Sequence, residues 1–378
     1  MIPARGGGAS PRDAGVQHRV TSLLALLVGL LGTCVGSVLF LRLPGPVAKP
    51  VPDRWHRKST PLTGGLALLL GFLAALGTAT LAGQIDRRFG YLALAGAAGY
   101  LLGLCDDERW ISPRAKFAGQ VSIALATAIL IHPSWLPAEA AVPVAALVLV
   151  AAMNSFNLLD NIDGLAAGTA AIAAGTLAVT TLLSHAPGLQ VPACALAGAA
   201  LGFLPLNYRP RRPAALFMGD SGAHFLGITV GASALLAGPA GAGGVSATII
   251  APLFILALPI LDTSLVILVR VAEGRPIWQG GRDHLSHRLV YVGLGEREAV
   301  AVLLGVAAIC AGAGVLVVAV DDALATGAAA GAVTALLIGL GSRLALVTEE
   351  KRRVAALPRR TRRPERKLEP LRDQAHAG

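Results

Sequence analysis

The sequence is poor in charged and aromatic residues. Asp, Glu, Lys and Arg make up 14% of its 378 positions, and Phe, Trp and Tyr make up 4%. In a soluble domain roughly a quarter of all residues are charged, so this composition excludes an ordinary soluble protein. Hydrophobic residues instead make up 54%, the mean hydropathy is +0.65, and apolar runs long enough to cross a bilayer recur. We therefore predict an all-α polytopic membrane protein.

Cysteine is scarce as well, and the positive charge is not arranged for nucleic acid. The four cysteines, at positions 34, 105, 194 and 310, show neither metal-binding spacing nor a disulfide framework. The net charge of +10 would favour nucleic-acid binding in a soluble protein. Here the cations lie between and after the apolar runs, without aromatic interleaving. We therefore expect membrane lipid as a partner and no nucleic acid.

Eleven apolar segments are candidate membrane spans, so we expect ten or eleven transmembrane helices joined by catalytic cytoplasmic loops. Residues 1–19 are expected to form a disordered N-terminus, residues 20–348 a transmembrane domain, and residues 349–378 a basic cytoplasmic tail. The candidate spans are 20–41, 62–82, 89–105, 117–132, 140–157, 164–184, 191–206, 222–237, 246–269, 298–319 and 324–347.

The distribution of Lys and Arg predicts the orientation. With the N-terminus outside, 5 of the 32 cations fall in outer segments, and the other 27 lie in or beside the inner loops and the tail. This asymmetry follows the positive-inside rule and favours a plasma (inner) membrane protein with its N-terminus outside. The clusters of Asp, Asn and His also lie on the inner side. An enzyme that joins a soluble substrate to a membrane-bound one would need this one-sidedness.

One inner stretch carries polar residues at regular spacing. Asn154, Asn157, Asp160 and Asp163 follow an apolar run at three-residue intervals, so they share one face of a helix. The stretch has two carboxylates and no Lys or Arg, which suits a divalent cation or proton transfer. A solvated interfacial loop is the alternative.

A second inner loop begins with adjacent carboxylates, Asp106 and Asp107, at the end of an apolar run. On a helix they point about 100° apart, so we expect different roles, such as metal ligand and base. Carboxylates at the end of a membrane span are costly unless they are used. Lys116, farther along, is a candidate phosphate contact.

Two further carboxylates stand near predicted helices. Asp220 lies between glycines where a helix begins, and could cap that helix or present a metal to a phosphate. Asp262 lies inside an apolar span, which makes it a functional candidate or a structural partner of Arg270.

The remaining inner loops combine histidine with cations. His284 and His287 stand beside Arg282 and Arg288, which favours a phosphate or nucleotide contact over half of a zinc site. His56 belongs to a cationic cluster in the first inner loop, for which attraction to anionic lipid is the simplest interpretation.

Taken together, these loops resemble the polyprenyl-phosphate N-acetylhexosamine-1-phosphate transferases, which are of the glycosyltransferase family 4 type. The resemblance covers about residues 50 to 290 in five blocks, all in order and all on one predicted side of the membrane. The blocks are the loop from His56 through Pro61 to Gly64–Gly65, Asp106–Asp107 through Lys116 and Gln120, Asn154 through Gly164, Phe217 through Gly222, and His284 through Arg288.

The resemblance implies a reaction and its participants. A cytosolic UDP-sugar would give its sugar-1-phosphate to a polyprenyl phosphate, release UMP and start a lipid-linked glycan of the cell wall or of lipopolysaccharide. Mg²⁺ would be required, with Mn²⁺ as the alternative cation. The sequence leaves a homodimer open.

The resemblance also implies roles for individual residues. Asp106 matches the proposed base on the lipid phosphate, Asp107 its support, and Asp220 the metal ligand that contacts the pyrophosphate. The catalytic set further includes Lys116, Asp160 and Asp163, with Asp160 as a second metal ligand. The implied substrate-binding residues are His56, Asn154, Asn157, Asn207, Asp283, His284, His287 and Arg288.

This chain departs from the family pattern at three places. Asn161 stands where the family more often has Gly, Ser286 stands where relatives often have His, and three residues appear added between Asn207 and Phe217. The histidine block differs from the three-histidine run of the muramoyl-pentapeptide branch, so we expect UDP-N-acetylglucosamine as the donor. A muramoyl-pentapeptide donor is the alternative, and a membrane transporter is a more distant one.

Overall fold

The computed structural model describes residues 11–48, 59–184, 187–209, 211–237, 245–277, 281–320 and 322–347. Helices dominate these residues, and one short antiparallel pair of strands joins them. The strands are β1 (Val47–Ala48) and β2 (Thr60–Pro61), and the helices are α1 (Pro11–Phe40), α2 (Gly64–Leu81), α3 (Arg87–Asp107), α4 (Pro113–Ile131), α5 (Ala138–Leu159), α6 (Leu165–Leu183), α7 (Pro187–Asn207), α8 (Gly219–Leu236), α9 (Val245–Ile255), α10 (Ala257–Ala272), α11 (Leu285–Tyr291), α12 (Glu296–Val320) and α13 (Ala323–Ala345).

Nine helices of the described chain are long and apolar enough to cross a membrane, namely α1 to α7, α12 and α13. The prediction of an all-α polytopic membrane protein is confirmed. Many of their residues face outward as large apolar side chains, such as Leu31, Leu147 and Ile309. Lipid accommodates such side chains because it is as apolar as they are.

Helix α8 lies at the centre of the bundle and positions the site. Every residue from Ser221 to Leu235 is buried, and α8 packs against α2, α3, α5 and α6. Close approach depends on small residues: a Cβ on Gly103 would stand 2.3 Å from the carbonyl oxygen of Asp220, and one on Gly227 would stand 2.7 Å from that of Ala152. Small residues at helix contacts allow backbones to approach in this way.

The candidate span at 246–269 is not one continuous helix. The structure breaks it at Leu256 into α9 and α10. Pro259 has no backbone N–H, so the carbonyl of Ile255 cannot receive the usual helical hydrogen bond from it. The break shortens both helices.

The N-terminal boundary also differs from the expectation. Helix α1 begins at Pro11, so residues 11–19 are helical rather than disordered. Gln17 and His18 hydrogen-bond to Ala82 and Gln84 in the turn between α2 and α3, and these contacts extend the helix. Residues 1–10 and the predicted basic tail, 349–378, lie outside the described residues.

Candidate active site

Asp107 caps helix α8 from another helix. Its carboxylate accepts hydrogen bonds from the backbone N–H groups of Asp220 (2.9 Å) and Ser221 (3.0 Å). Gly219 allows this approach, since it has φ +68° and a Cβ there would stand 2.6 Å from Asp107 Oδ2. The alternative that Asp220 caps its own helix is not seen, because α8 has no cap from its own N-terminal side chains. Asp107 thus satisfies the amides and the positive end of the helix dipole.

Asp106, the neighbouring carboxylate, points to a different partner. Lys116 Nζ donates a hydrogen bond to Asp106 Oδ2 at 2.8 Å and a second one to Asp220 Oδ2. These three side chains come from α3, α4 and α8, and each is part-exposed, with 18% of the lysine and 27% and 29% of the two carboxylates accessible. The structure therefore brings together three of the residues that the sequence singled out. We call them the Lys116 cluster.

A chain of hydrogen bonds inside the bundle supports the backbone of Asp220, a member of this cluster. His224 Nδ1 lies 2.6 Å from the carbonyl oxygen of Asp220, so this nitrogen carries the proton and donates it. Nε2 of the neutral ring then accepts from Gln120 at 2.8 Å. The Gln120 amide in turn pairs with Asn154, whose Nδ2 also donates to the carbonyl of Val150. Gln120 and Asn154 donate to each other, and from Gln120 through His224 to Asp220 the donors all point toward α8.

His224 was missed in the sequence, and Asn154 was predicted to bind substrate. The described contacts of Asn154 are to Gln120 and to its own helix, which supports a positioning role. His224 lies one helical turn after Asp220 in an otherwise small and apolar helix. That spacing was the available signal, because residues four apart share a face.

The loop after α5 is tied to the loop before α8. Asn207 Oδ1 accepts from the N–H of Gly164 at 2.7 Å, and its Nδ2 donates to the carbonyl of Leu216 at 3.1 Å. Asp163 Oδ2 accepts from the N–H of Ala214 at 3.2 Å. These bonds engage both ends of the buried Asn207 amide with backbone. Its predicted contact to the nucleotide would have to compete with them.

Two other predicted residues lie at the same end of α5. Asn157 is in its last turn and Asp160 follows it as the C-terminal cap, and both are half-buried. Asn154 lies on the same helix, three residues before Asn157. His56, the remaining predicted substrate contact outside this region, lies outside the described residues.

The histidine block packs against Asp262. The sequence suggested Arg270 as a partner of Asp262, but the structure pairs Asp262 with His284. His284 Nδ1 lies 2.8 Å from Asp262 Oδ2, and the N–H of Leu285 donates to Asp262 Oδ1 at 2.7 Å. The carboxylate thereby holds the start of α11. Arg270 instead pairs with Asp283 at 3.2 Å, in a bridge that is almost wholly buried.

Two predicted binding residues of this block have structural contacts. Asp283 is 4% exposed and bonds both Arg270 and Arg275. Arg288 is fully buried and donates to the carbonyls of Asp283 (2.7 Å) and Leu344 (2.9 Å). The second contact places a cation at the C-terminal end of α13, where the helix dipole favours it.

His287 is held in its neutral form. Burial, together with the electrostatic effects of the neighbouring His284 and Arg282, lowers the pKa of His287 to about 3. Since α11 lies outside the membrane-spanning helices, this ring stays uncharged over the ordinary pH range. A neutral imidazole can accept a hydrogen bond as well as donate one.

The Lys116 cluster has the donor set of a magnesium site, with one qualification. Among the described residues no group of three or more His, Cys, Asp or Glu side chains gathers as a complete metal site. Asp106 and Asp220 nevertheless share a single ammonium, which leaves one negative charge in excess. Carboxylate oxygens are the ligands that Mg²⁺ takes in proteins, usually one or two of them alongside substrate phosphates. The residues present therefore fit the ion.

The fold and the cluster define an integral-membrane protein with a part-exposed acidic site at its helix ends. The sequence profile of glycosyl transferase family 4 matches residues 89–238, which run from α3 to α8 and include every residue of the Lys116 cluster.

Curated relatives extend this match. A probable undecaprenyl-phosphate N-acetylglucosaminyl 1-phosphate transferase of Bacillus subtilis is 29% identical over 76% of this chain and 82% of its own. The decaprenyl-phosphate N-acetylglucosaminephosphotransferase of Mycobacterium tuberculosis is 32% identical over 78% of this chain and 81% of its own. A phospho-N-acetylmuramoyl-pentapeptide-transferase of Nostoc punctiforme is 33% identical over 76% and 84%. The chain belongs to glycosyl transferase family 4.

Proposed function

We propose that this protein transfers N-acetylglucosamine-1-phosphate from its UDP derivative to a polyprenyl phosphate and releases UMP. The observation that carries the proposal is the Lys116 cluster, in which one ammonium holds Asp106 and Asp220 together at the N-terminus of α8. The names of the Bacillus and Mycobacterium relatives support the donor and acceptor.

The reaction must bring two phosphates together. An oxygen of the lipid phosphate attacks the phosphorus that carries the sugar, and the bond from that phosphorus to the oxygen of UMP breaks. Phosphoryl transfer of this kind depends mainly on positioning and on neutralising charge. Lys116 supplies positive charge between the two carboxylates.

Asp106 is proposed to accept the proton of the lipid phosphate, with Asp107 fixing the helix end beside it. Asp220 and Asp160 are proposed to hold Mg²⁺, or Mn²⁺ in its place. When bound, the cation would screen the charge on the phosphates. Asp107 acts by holding the backbone, because its two oxygens accept hydrogen bonds from the N–H groups of Asp220 and Ser221.

The donor side is proposed to lie along the loop after α5 and along α11. Asn157, Asp163 and the histidines at 284 and 287 flank it, and His56 is proposed to join from the first inner loop. The same cation distribution that orients the spans supports an active site on the cytoplasmic side of the plasma membrane, with the N-terminus outside.

Release of UMP tests the proposal. Purified protein in detergent would be given polyprenyl phosphate, Mg²⁺ and one UDP-sugar at a time, including the muramoyl-pentapeptide derivative that the Nostoc relative makes relevant. We expect UMP release with UDP-N-acetylglucosamine, only when the lipid phosphate is present. Uptake of UDP-sugar into proteoliposomes without UMP release would contradict the proposal and favour a transporter.

A further inference from the structure

Two polar residues that are distant in the sequence meet in the folded protein. The hydroxyl of Ser286 donates to Asn161 Oδ1 at 2.5 Å, although the residues are 125 positions apart. Asn161 Nδ2 donates to the carbonyl of Leu158 at 2.6 Å. Ser286 is 1% exposed, so water does not compete for its hydroxyl. The Asn161 amide therefore has one fixed orientation.

The sizes of the two side chains are coupled, because they are in direct contact and Ser286 is buried. A larger residue at 286 would therefore need a smaller one at 161, since a packed interior tolerates volume-conserving exchanges best. The described non-glycine residues with positive φ are Arg109 and His132, so the backbone at Asn161 does not require glycine.

The bond closes a triangle of polar contacts between three helices. Thr263 of α10 donates to Ser155 of α5 at 2.9 Å. Asp262, its neighbour, holds His284 at the start of α11. The bond from Ser286 to Asn161 then joins α11 back to the end of α5. Of these three contacts, only this last one reaches the loop that contains Asp160 and Asp163.

We propose that Asn161 and Ser286 are a positioning pair, which fixes the donor side of the site and sharpens selection among UDP-N-acetylhexosamines. This inference rests on the proposed function. Asn161 adjoins Asp160 and Ser286 adjoins His287, so their bond sets the spacing between a proposed metal ligand and a proposed nucleotide contact. Sugar selection depends on that spacing, because a donor that does not match it leaves buried polar groups unpaired.

Kinetics of alanine variants test the pair. Ser286→Ala and Asn161→Ala are each expected to raise the KM for UDP-N-acetylglucosamine roughly fivefold with little change in kcat, the scale on which one buried hydrogen bond acts. The double variant should be about as impaired as the worse single variant, since contacting residues are not additive. Both single variants should discriminate less between one UDP-N-acetylhexosamine and another. Thr263→Val is the matched control: it breaks a different side of the triangle and should lower thermal stability without changing that preference.

An exchange experiment completes the test. Ser286→His alone should overfill the site and lower activity, and adding Asn161→Gly should restore most of it with a changed donor preference. If Ser286→His alone does not fold, a melting temperature that recovers when Asn161→Gly is added shows the same coupling between the two positions.

Additive alanine effects, or a Ser286→Ala protein with unchanged KM and donor preference, would overturn the inference and leave the proposed function standing. A wild type that releases no UMP from any UDP-sugar would overturn both.

Discussion

The Lys116 cluster and the histidine block are both rich in charge, yet they are built in opposite ways. The cluster is part-exposed, holds two carboxylates on one ammonium, and keeps a negative charge in excess. Beside the histidine block, Asp283 is buried and pairs with the buried Arg270 and with the part-exposed Arg275. Excess charge at an accessible position favours the binding of a ligand, whereas a buried network whose charges are already paired stabilises the fold. The comparison supports the proposal that the chemistry takes place where α3, α4 and α8 meet.

The largest expected effect is at Asp220. Asp220→Asn keeps the size of the side chain and removes its charge, and we expect UMP release to fall by at least ~10²-fold, the scale of losing a positioned electrostatic group. The measurement is the initial rate at saturating substrates, with the melting temperature showing that the variant is folded. A rate within a few-fold of wild type would mean that the cluster does not carry the reaction.

For the ion pair of Arg270 and Asp283 we expect a loss of stability without a loss of rate. Arg270→Met leaves Asp283 buried with Arg275 alone, and should cost about 2–4 kcal/mol of stability, below the full cost of breaking a buried pair because one partner remains. Denaturation in detergent would measure this loss. The rate per folded molecule should stay close to wild type. A large loss of rate without loss of stability would show that this block also takes part in the chemistry.

A smaller effect is expected at His224, which lies beneath the cluster. Asn at this position can still donate to the carbonyl of Asp220 but loses the contact to Gln120, so His224→Asn should lower kcat by roughly 5- to 10-fold. His224→Leu loses both contacts and should fall further. Equal rates for the two variants would show that the donated hydrogen bond has no part in positioning Asp220.

The smallest effect is the change in stability between pH 6.5 and pH 5. The pKa of His287 lies at about 3 in the fold, below its ordinary value of 6.5, so the folded protein binds this proton less readily than the unfolded chain. Stability is therefore complete above pH 6.5 and declines as pH falls toward 3, by up to about 1.4 kcal/mol per pH unit. His287→Gln should flatten the melting temperature between pH 6.5 and 5. An unchanged slope would show that His287 does not cause it.

Local features of the sequence predicted most of the fold and singled out each residue of the cluster, but they did not predict the ion pairs that Lys116 makes. Apolar runs located the spans, and the order of the polar blocks pointed to Asp106, Lys116 and Asp220. The contacts that depend on distant parts of the chain were not predictable in this way. Asp107 caps a helix that begins 112 positions later, and Ser286 finds Asn161 across 125 positions. No local pattern encodes such pairings, because they arise only when small residues let the helices pack.

The break in α9–α10 was missed for a different reason. Pro252 and Pro259 stand in a run whose hydropathy alone predicts one continuous helix. Proline was the signal, since its missing N–H removes a helical hydrogen bond.

The most direct test of the account is the rate of UMP release by Lys116→Met. This variant keeps most of the length of the side chain and removes the ammonium that holds Asp106 and Asp220 together. The account predicts a loss of at least roughly 30-fold with the melting temperature little changed, because two carboxylates then face the phosphates without their cation. A folded Lys116→Met protein that releases UMP at the wild-type rate would contradict it.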